Sequence, residues 1–428
     1  MKRIFFLWIY TLVTGFVYSQ TIEQVITENR SLTANNYQAY PEPTWKQSPA
    51  PGGYVPFYIS TYNRHGSRFL INPKDYTYPQ QVLGKADSAN VLTSAGKRTL
   101  DVVNRMNAMA EKRLGELTPA GARQHRGIAR RMYHNFPEVF ADSAGIDARS
   151  TIVIRCILSM MNECMELQGL NPALRISTDA SLHDMPYLNR DNTKLNELSR
   201  LPEAEATRRY IAQKYVHPQR LMAALFSDSL FVKQHVEPAR LMNNLFDIAC
   251  NMQSHDTDME LYSLFTTREC IDLWSKNNIS WYLYGGAAPQ TKGWMPYKEA
   301  ELLRNILCTA DEFLSTGRHG ATLRFGHESC LLPLVALLEL EHYGRTYTDM
   351  DSLAEHWRSF EIFPMASNVQ FVFYRKPGSD DILVKVLLNE KERHMPISTD
   401  MYPYYHWKDV KQYYAGKLRK YDESEYKN

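Results

Sequence analysis

The chain has 428 residues, 44% of them hydrophobic and 22% charged, which is enough for one large core plus an inserted or appended domain. Its formal net charge of +2, with acidic and basic residues nearly equal, argues against nucleic acid as a partner, since phosphate-backbone binding normally shows as a basic excess. Any basic cluster must therefore be local.

Lys2 and Arg3, the apolar run Ile4 to Val17 and the Val17-Tyr18-Ser19 triplet before Gln20 predict a secretory signal over residues 1–19 and a periplasmic or secreted product. The apolar run is short for a membrane span, no stop-transfer charges follow, and no later segment is long and apolar enough, so no stable membrane insertion is expected. Six cysteines (Cys156, Cys164, Cys250, Cys270, Cys308, Cys330) permit disulfides in an oxidising compartment. Several lie in apolar helical runs, where buried thiols are the commoner outcome, and no CxxC pair with histidine partners suggests zinc. Gln20 to Pro51, polar with scattered Pro and Asn, reads as an extended lead-in over the surface.

The β-favouring run Tyr54 to Tyr62 predicts a buried strand that delivers Arg64-His65-Gly66-Ser67-Arg68 to its end, where open α/β sheets place their chemistry. Two guanidinium forks around an imidazole make a cationic cup for phosphate oxygens, and Gly66 would let an anion approach the backbone. A histidine held there can attack phosphorus, giving a phosphohistidine that water then hydrolyses. Ser88 to Leu114 has helical spacing, with Thr93, Ser94 and Gly96 near its start. Thr118 and Pro119 are placed as N-cap and first residue of a helix continuing through Ala122 to Phe136. Ser150 to Arg155 reads as a short β-branched strand that brings a third arginine, Arg155, to a strand end before a helix from Cys156, with Arg149 as support. From Asp179 to Gly317 the pattern turns helical. Ala321 to Phe325 is a strand ending in Gly326-His327-Glu328 with an apolar helix behind it, which suits His327 to donate to phosphate oxygens and Glu328 to handle a leaving group's proton. Val369 to Arg375 and Ile382 to Leu388 form a hairpin around Pro377-Gly378-Ser379.

Arg64 to Arg68, the Gly115-Glu116-Leu117-Thr118-Pro119-Ala120-Gly121 stretch, Arg155 six residues after Arg149-Ser150, and Gly326-His327 before Leu331-Leu332-Pro333-Leu334 together resemble the histidine acid phosphatases, in particular the multiple inositol polyphosphate phosphatases and phytases. The sequence departs where that group reads His-Ala-Glu: Glu328 directly follows His327, and Ser329 stands where the glutamate would be. The resemblance implies an α/β fold with a central mixed sheet flanked by helices over residues 20–178 and 318–428, and an inserted α-helical domain over 179–317 that lies over the phosphate pocket. It implies a secreted phosphomonoesterase acting on inositol polyphosphates such as phytate. His65 would be the nucleophile, Arg64, Arg68, Arg155 and His327 the phosphate clamp, and Glu328 the acid and then the base. Lys74 and Lys292 are candidate extra cations for a polyphosphorylated substrate. Three arginines supply the positive charge that magnesium supplies in kinases, so no metal or cofactor is required. Two alternatives stand beside this: a histidine acid phosphatase for sugar phosphates or other monoesters, and a phosphoryl-binding protein without turnover.

Overall fold

The computed structural model describes residues 20–189 and 192–427, so the signal segment expected over residues 1–19 lies outside the described residues. Its centre is an eight-stranded mixed sheet. The strands are β1 Val55–Arg64, β2 Gly145–Ser150, β3 Arg175–Asp179, β4 Gly320–Gly326, β5 Asn368–Arg375, β6 Ile382–Leu388, β7 Lys391–Arg393 and β8 Tyr405–His406, in the order β3-β2-β4-β1-β5-β6-β7 with β8 beside β6. β3, β2, β4 and β1 run parallel, and β5 and β6 return antiparallel as the expected hairpin. β1 and β4 are buried almost throughout, which explains why they read as continuous apolar or β-branched runs rather than as alternations. Their register pairs Arg64 with Gly326, so both chemical motifs leave the sheet at one edge, side by side.

Between β3 and β4 every regular element among the described residues is helical. One core joins the sheet to helices from this stretch through residues such as Leu195, Ile211, Ile279 and Leu303. A second core packs the helix Pro238–Asn251 and its neighbours against Pro73–Ser88 and Ser94–Met109. The helix Pro73–Ser88, with Asn72 as N-cap and Pro73 in its first turn, was not anticipated, because Pro79 inside it hides the periodicity. No helix among the described residues is long and apolar enough to cross a membrane. All six cysteines are free thiols, five of them buried and Cys308 exposed.

Two expectations need correcting. The lead-in is built structure: Ile22–Glu28 is a helix with a capping box, and Arg30–Tyr37 forms 3-10 turns with Thr33, Ala34 and Asn35 buried. The strand before Arg155 lies upstream of the expected place, at Gly145–Ser150, and Arg155 sits in the first turn of the helix Ile154–Leu170. In the sheet the alternation is carried by Ile146, Ala148 and Ser150, whereas Ile152 and Ile154 are exposed, so the β-branched run makes a turn and a helix start. Gly66 also packs closely against the protein's own backbone. A Cβ there would lie 2.5 Å from the Gly121 carbonyl oxygen, and one on Gly121 would lie 2.4 Å from the Ser67 carbonyl oxygen. The two glycines let the start of the helix Pro119–Asn135 dock on the His65 loop.

Gly66→Ala and Gly121→Ala should each cost about 1–3 kcal/mol by forcing these backbones apart. Gly84, whose Cβ would meet nothing, should accept alanine with a gain of about 0.5–1 kcal/mol. Urea denaturation of the three variants checks this; a Gly66→Ala protein as stable as the parent would contradict the docking argument.

Candidate active site

Each side chain of the site is placed by an element end. Arg64 closes β1, and its backbone N–H donates to the Ser367 carbonyl at 2.8 Å. His65 follows; its N–H donates to the Gly326 carbonyl at 2.9 Å, which ties the two motif-bearing strand ends together. The loop is then pinned: Gly66 N–H donates to Ser159 Oγ at 3.1 Å, and Ser67 N–H to Gln124 Oε1 at 2.9 Å. The helices Ile154–Leu170 and Glu328–Leu337 both begin at this edge, so the positive ends of two helix dipoles lie beside Arg155 and His327.

The structure brings Arg64, His65, Arg68, Arg155, His327 and Glu328 together. Arg64 is buried, with Nη1 donating to the Phe363 carbonyl at 2.6 Å and Nη2 to the Asn36 carbonyl at 2.7 Å. Its Nε lies 3.1 Å from Glu328 Oε2, and Arg68 Nη2 lies 3.9 Å from Glu328 Oε1. His65 Nδ1 is 2.9 Å from the Gly66 carbonyl oxygen. A carbonyl only accepts, so Nδ1 carries the proton and Nε2 keeps its lone pair, 3.4 Å from Glu328 Oε2. The rings of His65 and His327 meet edge to face at 5.7 Å. The His327 backbone N–H donates to Tyr62 Oη at 3.2 Å, and its Nε2 lies 3.4 Å from Thr151 Oγ1.

The electrostatics follow from burial. Desolvation pulls His65 well below the usual imidazole range, against the pull of Glu328, and brings His327 down to about 4, so both rings are neutral at pH 7. Burial lowers Arg64 to about 10, which still leaves it charged at neutral pH, and lowers Arg155 as well. Burial also works to raise Glu328, but Arg64 and Arg68 outweigh it and hold the carboxyl well below its ordinary value. Four nitrogens of this cluster, Arg64 Nε, His65 Nε2, Arg68 Nε and Arg155 Nε, are buried without a hydrogen-bond partner. His65, His327 and Glu328 hold donor atoms within 4.8 Å of one another, close enough for a metal, but the three arginines around them make the site one for an anion.

Several supporting residues escaped the sequence reading. His125 and Glu163 are fully buried; His125 Nε2 donates to the Arg64 carbonyl at 3.1 Å, and its Nδ1 lies 2.9 Å from Glu163. The available signal was a histidine on the buried face of its helix, four residues after Gly121. Asn36 and Tyr37 come from the supposed surface lead-in; Tyr37 lies under the Arg68 guanidinium at 5.4 Å. From the helical stretch, Asn251 donates to the Arg68 carbonyl at 2.9 Å, and one turn earlier Asp247 lies near Asp75, Lys276 and Arg68. Lys276 donates to Asn243, and Asn244 to Asp75 Oδ1 at 3.2 Å, so positions 243, 244, 247 and 251 form a polar stripe on a mostly apolar helix. Of the two expected extra cations, Lys74 is exposed in a helix's first turn, and Lys292 directs its ammonium to Tyr426 Oη at 3.3 Å. Neither has a described contact with the clamp. Arg149 pairs with Asp147 and Asp179.

The sequence matches the family described as histidine phosphatase superfamily (branch 2) over residues 61–389, more than half of the chain. Among solved structures, the fold is shared with a Bifidobacterium longum multiple inositol polyphosphate phosphatase in complex with inositol hexasulfate (TM-score 0.75, 19% identity, covering 90% of this chain and 98% of that one). It is also shared with the phytase from D. castellii (TM-score 0.62, 14% identity, 93% and 92%) and with Hafnia alvei phytase in complex with myo-inositol hexakis sulphate (0.55, 13%, 86% and 98%). No curated protein sequence matches the chain.

Burial and the nearby Asp75 lift Asp247 to about 7, while Lys276 and Arg68 pull the other way. Between about pH 4 and 7 the folded chain therefore binds a proton at Asp247 that the unfolded chain has released, and stability from this group falls as pH rises through that window. Asp247→Asn should gain stability over the parent at pH 7 and little at pH 4. Denaturation at both values tests this; equal changes would show that Asp247 titrates normally.

Proposed function

The chain belongs to branch 2 of the histidine phosphatase superfamily, and from that premise we propose that it hydrolyses inositol polyphosphates through a phosphohistidine on His65. The observation that carries the reading is the set of three buried, unpartnered guanidinium nitrogens, Arg64 Nε, Arg68 Nε and Arg155 Nε, gathered around one neutral imidazole whose Nε2 is likewise unpartnered. Buried donors without acceptors are costly, and here they surround the one group able to attack phosphorus. A phosphoryl group supplies the missing acceptors. Its oxygens take the Arg64, Arg68 and Arg155 guanidiniums and His327, and the His65 Nε2 lone pair faces phosphorus.

In this mechanism the Nε2–P bond forms as the bond from phosphorus to the leaving oxygen breaks, and that oxygen receives a proton from Glu328. Water then attacks phosphorus, its proton passes to Glu328, and the Nε2–P bond breaks to release inorganic phosphate. The backbone bonds around His65 and the Gly66 carbonyl keep the ring in its attacking tautomer through both steps. The chain itself supplies the charge that stabilises the transferring group.

The choice of inositol polyphosphates rests on two supports. One is the named substrates and sulfated inositol ligands of the proteins that share the fold. The other is the helical stretch, which we read as the inserted domain of residues 179–317 over the clamp. It sets Lys276 and Arg68 within electrostatic reach of one carboxyl, Asp247, and it sets Lys298 at 3.9 Å over the ring of Tyr284, whose phenol is raised by burial with Glu328 among its neighbours. With the signal pattern of residues 1–19, the enzyme acts outside the cytoplasm.

A polyphosphate held partly by charge outside the clamp loses affinity as salt rises, more steeply than a singly phosphorylated sugar. kcat/KM for phytate should exceed that for glucose 6-phosphate at low salt, with the ratio falling as salt is added. Preference for the sugar phosphate at every ionic strength would overturn the substrate assignment and leave the phosphatase reading intact.

A further inference from the structure

We propose that the Glu328 carboxylate is an internal occupant of the phosphate site, which a substrate phosphoryl group must displace, and that the displaced carboxyl takes up the proton it later gives to the leaving group. This rests on the phosphatase reading above and adds to it how the acid is loaded.

The geometry is direct. Glu328 Oε2 lies 3.1 Å from Arg64 Nε and 3.4 Å from His65 Nε2, while Oε1 lies 3.9 Å from Arg68 Nη2 and 3.5 Å from Asn36 Nδ2. Attack requires phosphorus about 3–3.5 Å from Nε2 with its oxygens on the arginines. The carboxylate already holds that volume, so the two cannot coexist. It is also a poor fit: although the carboxylate stands at ion-pair distance from Arg64 and Arg68, Arg64 Nε and Arg68 Nε make no hydrogen bond, and Arg155 Nε is unmet as well. A flat group with two oxygens cannot satisfy donors arranged for a tetrahedral one. Glu328 is the first residue of its helix, and its side chain can turn without unwinding that helix, whose Cys330 and Leu331 N–H groups bond the His327 carbonyl.

Displacement changes what surrounds the carboxyl. The charged and titratable groups facing it are Arg64, His65 and Arg68 from β1 and its loop, Arg155 and Cys156 from the helix Ile154–Leu170, Tyr37 from the N-terminal turns, Tyr284 from the helix Thr267–Gly285, and the adjoining His327. In the free protein Arg64 and Arg68 keep Glu328 ionised, and an ionised carboxylate cannot donate a proton. Once a phosphoryl dianion takes the guanidiniums, burial and the new negative charge both favour the neutral carboxyl. The proton comes from solvent at binding, passes to the leaving oxygen as the P–O bond breaks, and is replaced from the attacking water. It returns to solvent when phosphate leaves and the carboxylate falls back onto the arginines.

Inorganic sulfate tests this, because it stays a dianion from pH 5 to 8 and any linked proton belongs to the protein. Isothermal titration calorimetry in buffers of different ionisation enthalpy counts the protons taken up by wild type, Glu328→Gln and Glu328→Asp, and measurable binding shows that each is folded. Wild type should take up about one proton more than Glu328→Gln. At pH 7 both variants should bind sulfate about tenfold or more tightly than wild type, because the occupied state no longer reduces the competent fraction. Glu328→Asp separates occupancy from charge: it keeps the carboxylate but is one methylene too short to reach the arginines. Proton uptake equal in wild type and Glu328→Gln, or Glu328→Asp binding as weakly as wild type, would overturn the proposal. Wild-type turnover of phytate is read separately: its loss would sink the phosphatase reading, and its persistence alongside a failed sulfate result would sink only the occupancy.

Discussion

The constraint on which the site depends is the gathering of three guanidiniums around two buried imidazoles. Taking such charges out of water costs several kcal/mol each unless anions or oriented carbonyls meet them. The protein meets part of this need with the Phe363, Asn36 and Phe69 carbonyls and part with one carboxylate, Glu328. Lysines buried here would shed their protons, whereas arginine keeps its charge and offers donors in a fixed fork. The histidines respond oppositely, being driven neutral, and a neutral imidazole is the form that can act as nucleophile.

Holding this arrangement takes contributions from distant parts of the chain. Parallel pairing of β1 with β4 fixes His65 beside His327, and β2 with its following helix brings Arg155. Glycine on glycine sets the His65 loop against the helix Pro119–Asn135, whose His125 then bonds the Arg64 carbonyl. The N-terminal turns close one side through Asn36 and Tyr37, and the helix Pro238–Asn251 closes another through Asn251. Each contact is local hydrogen bonding or packing, and together they position charges that repel one another.

Much of this was legible in the sequence where the signal was local. The strand ends at Arg64 and Gly326, the Thr118 cap, the closing hairpin and the helical middle all follow from apolar runs, turn residues and capping chemistry. What stayed hidden depends on tertiary contacts. Residues 20–51 are polar, and nothing in their pattern tells that Asn36 and Tyr37 reach a pocket. Thr151 to Ile154 has strand composition but lies past the sheet's edge, where helix geometry takes over. The packing of Gly66 on the Gly121 backbone is likewise invisible locally, because the two glycines lie far apart in sequence. Asp247 and Lys276 gain their interest only from neighbours far away in sequence, as does the resting place of Glu328.

The proposed chemistry turns on the unpaired Nε2 of His65 as phosphoryl acceptor. Its most direct test is rapid acid-free quenching of the wild-type chain with 32P-labelled phytate, followed by peptide mapping. Alkali-stable, acid-labile label is expected on the peptide that holds Arg64 to Arg68, appearing within a single turnover and lost in His65→Ala. Turnover of phytate with label on no histidine, or undiminished turnover by His65→Ala, would contradict it.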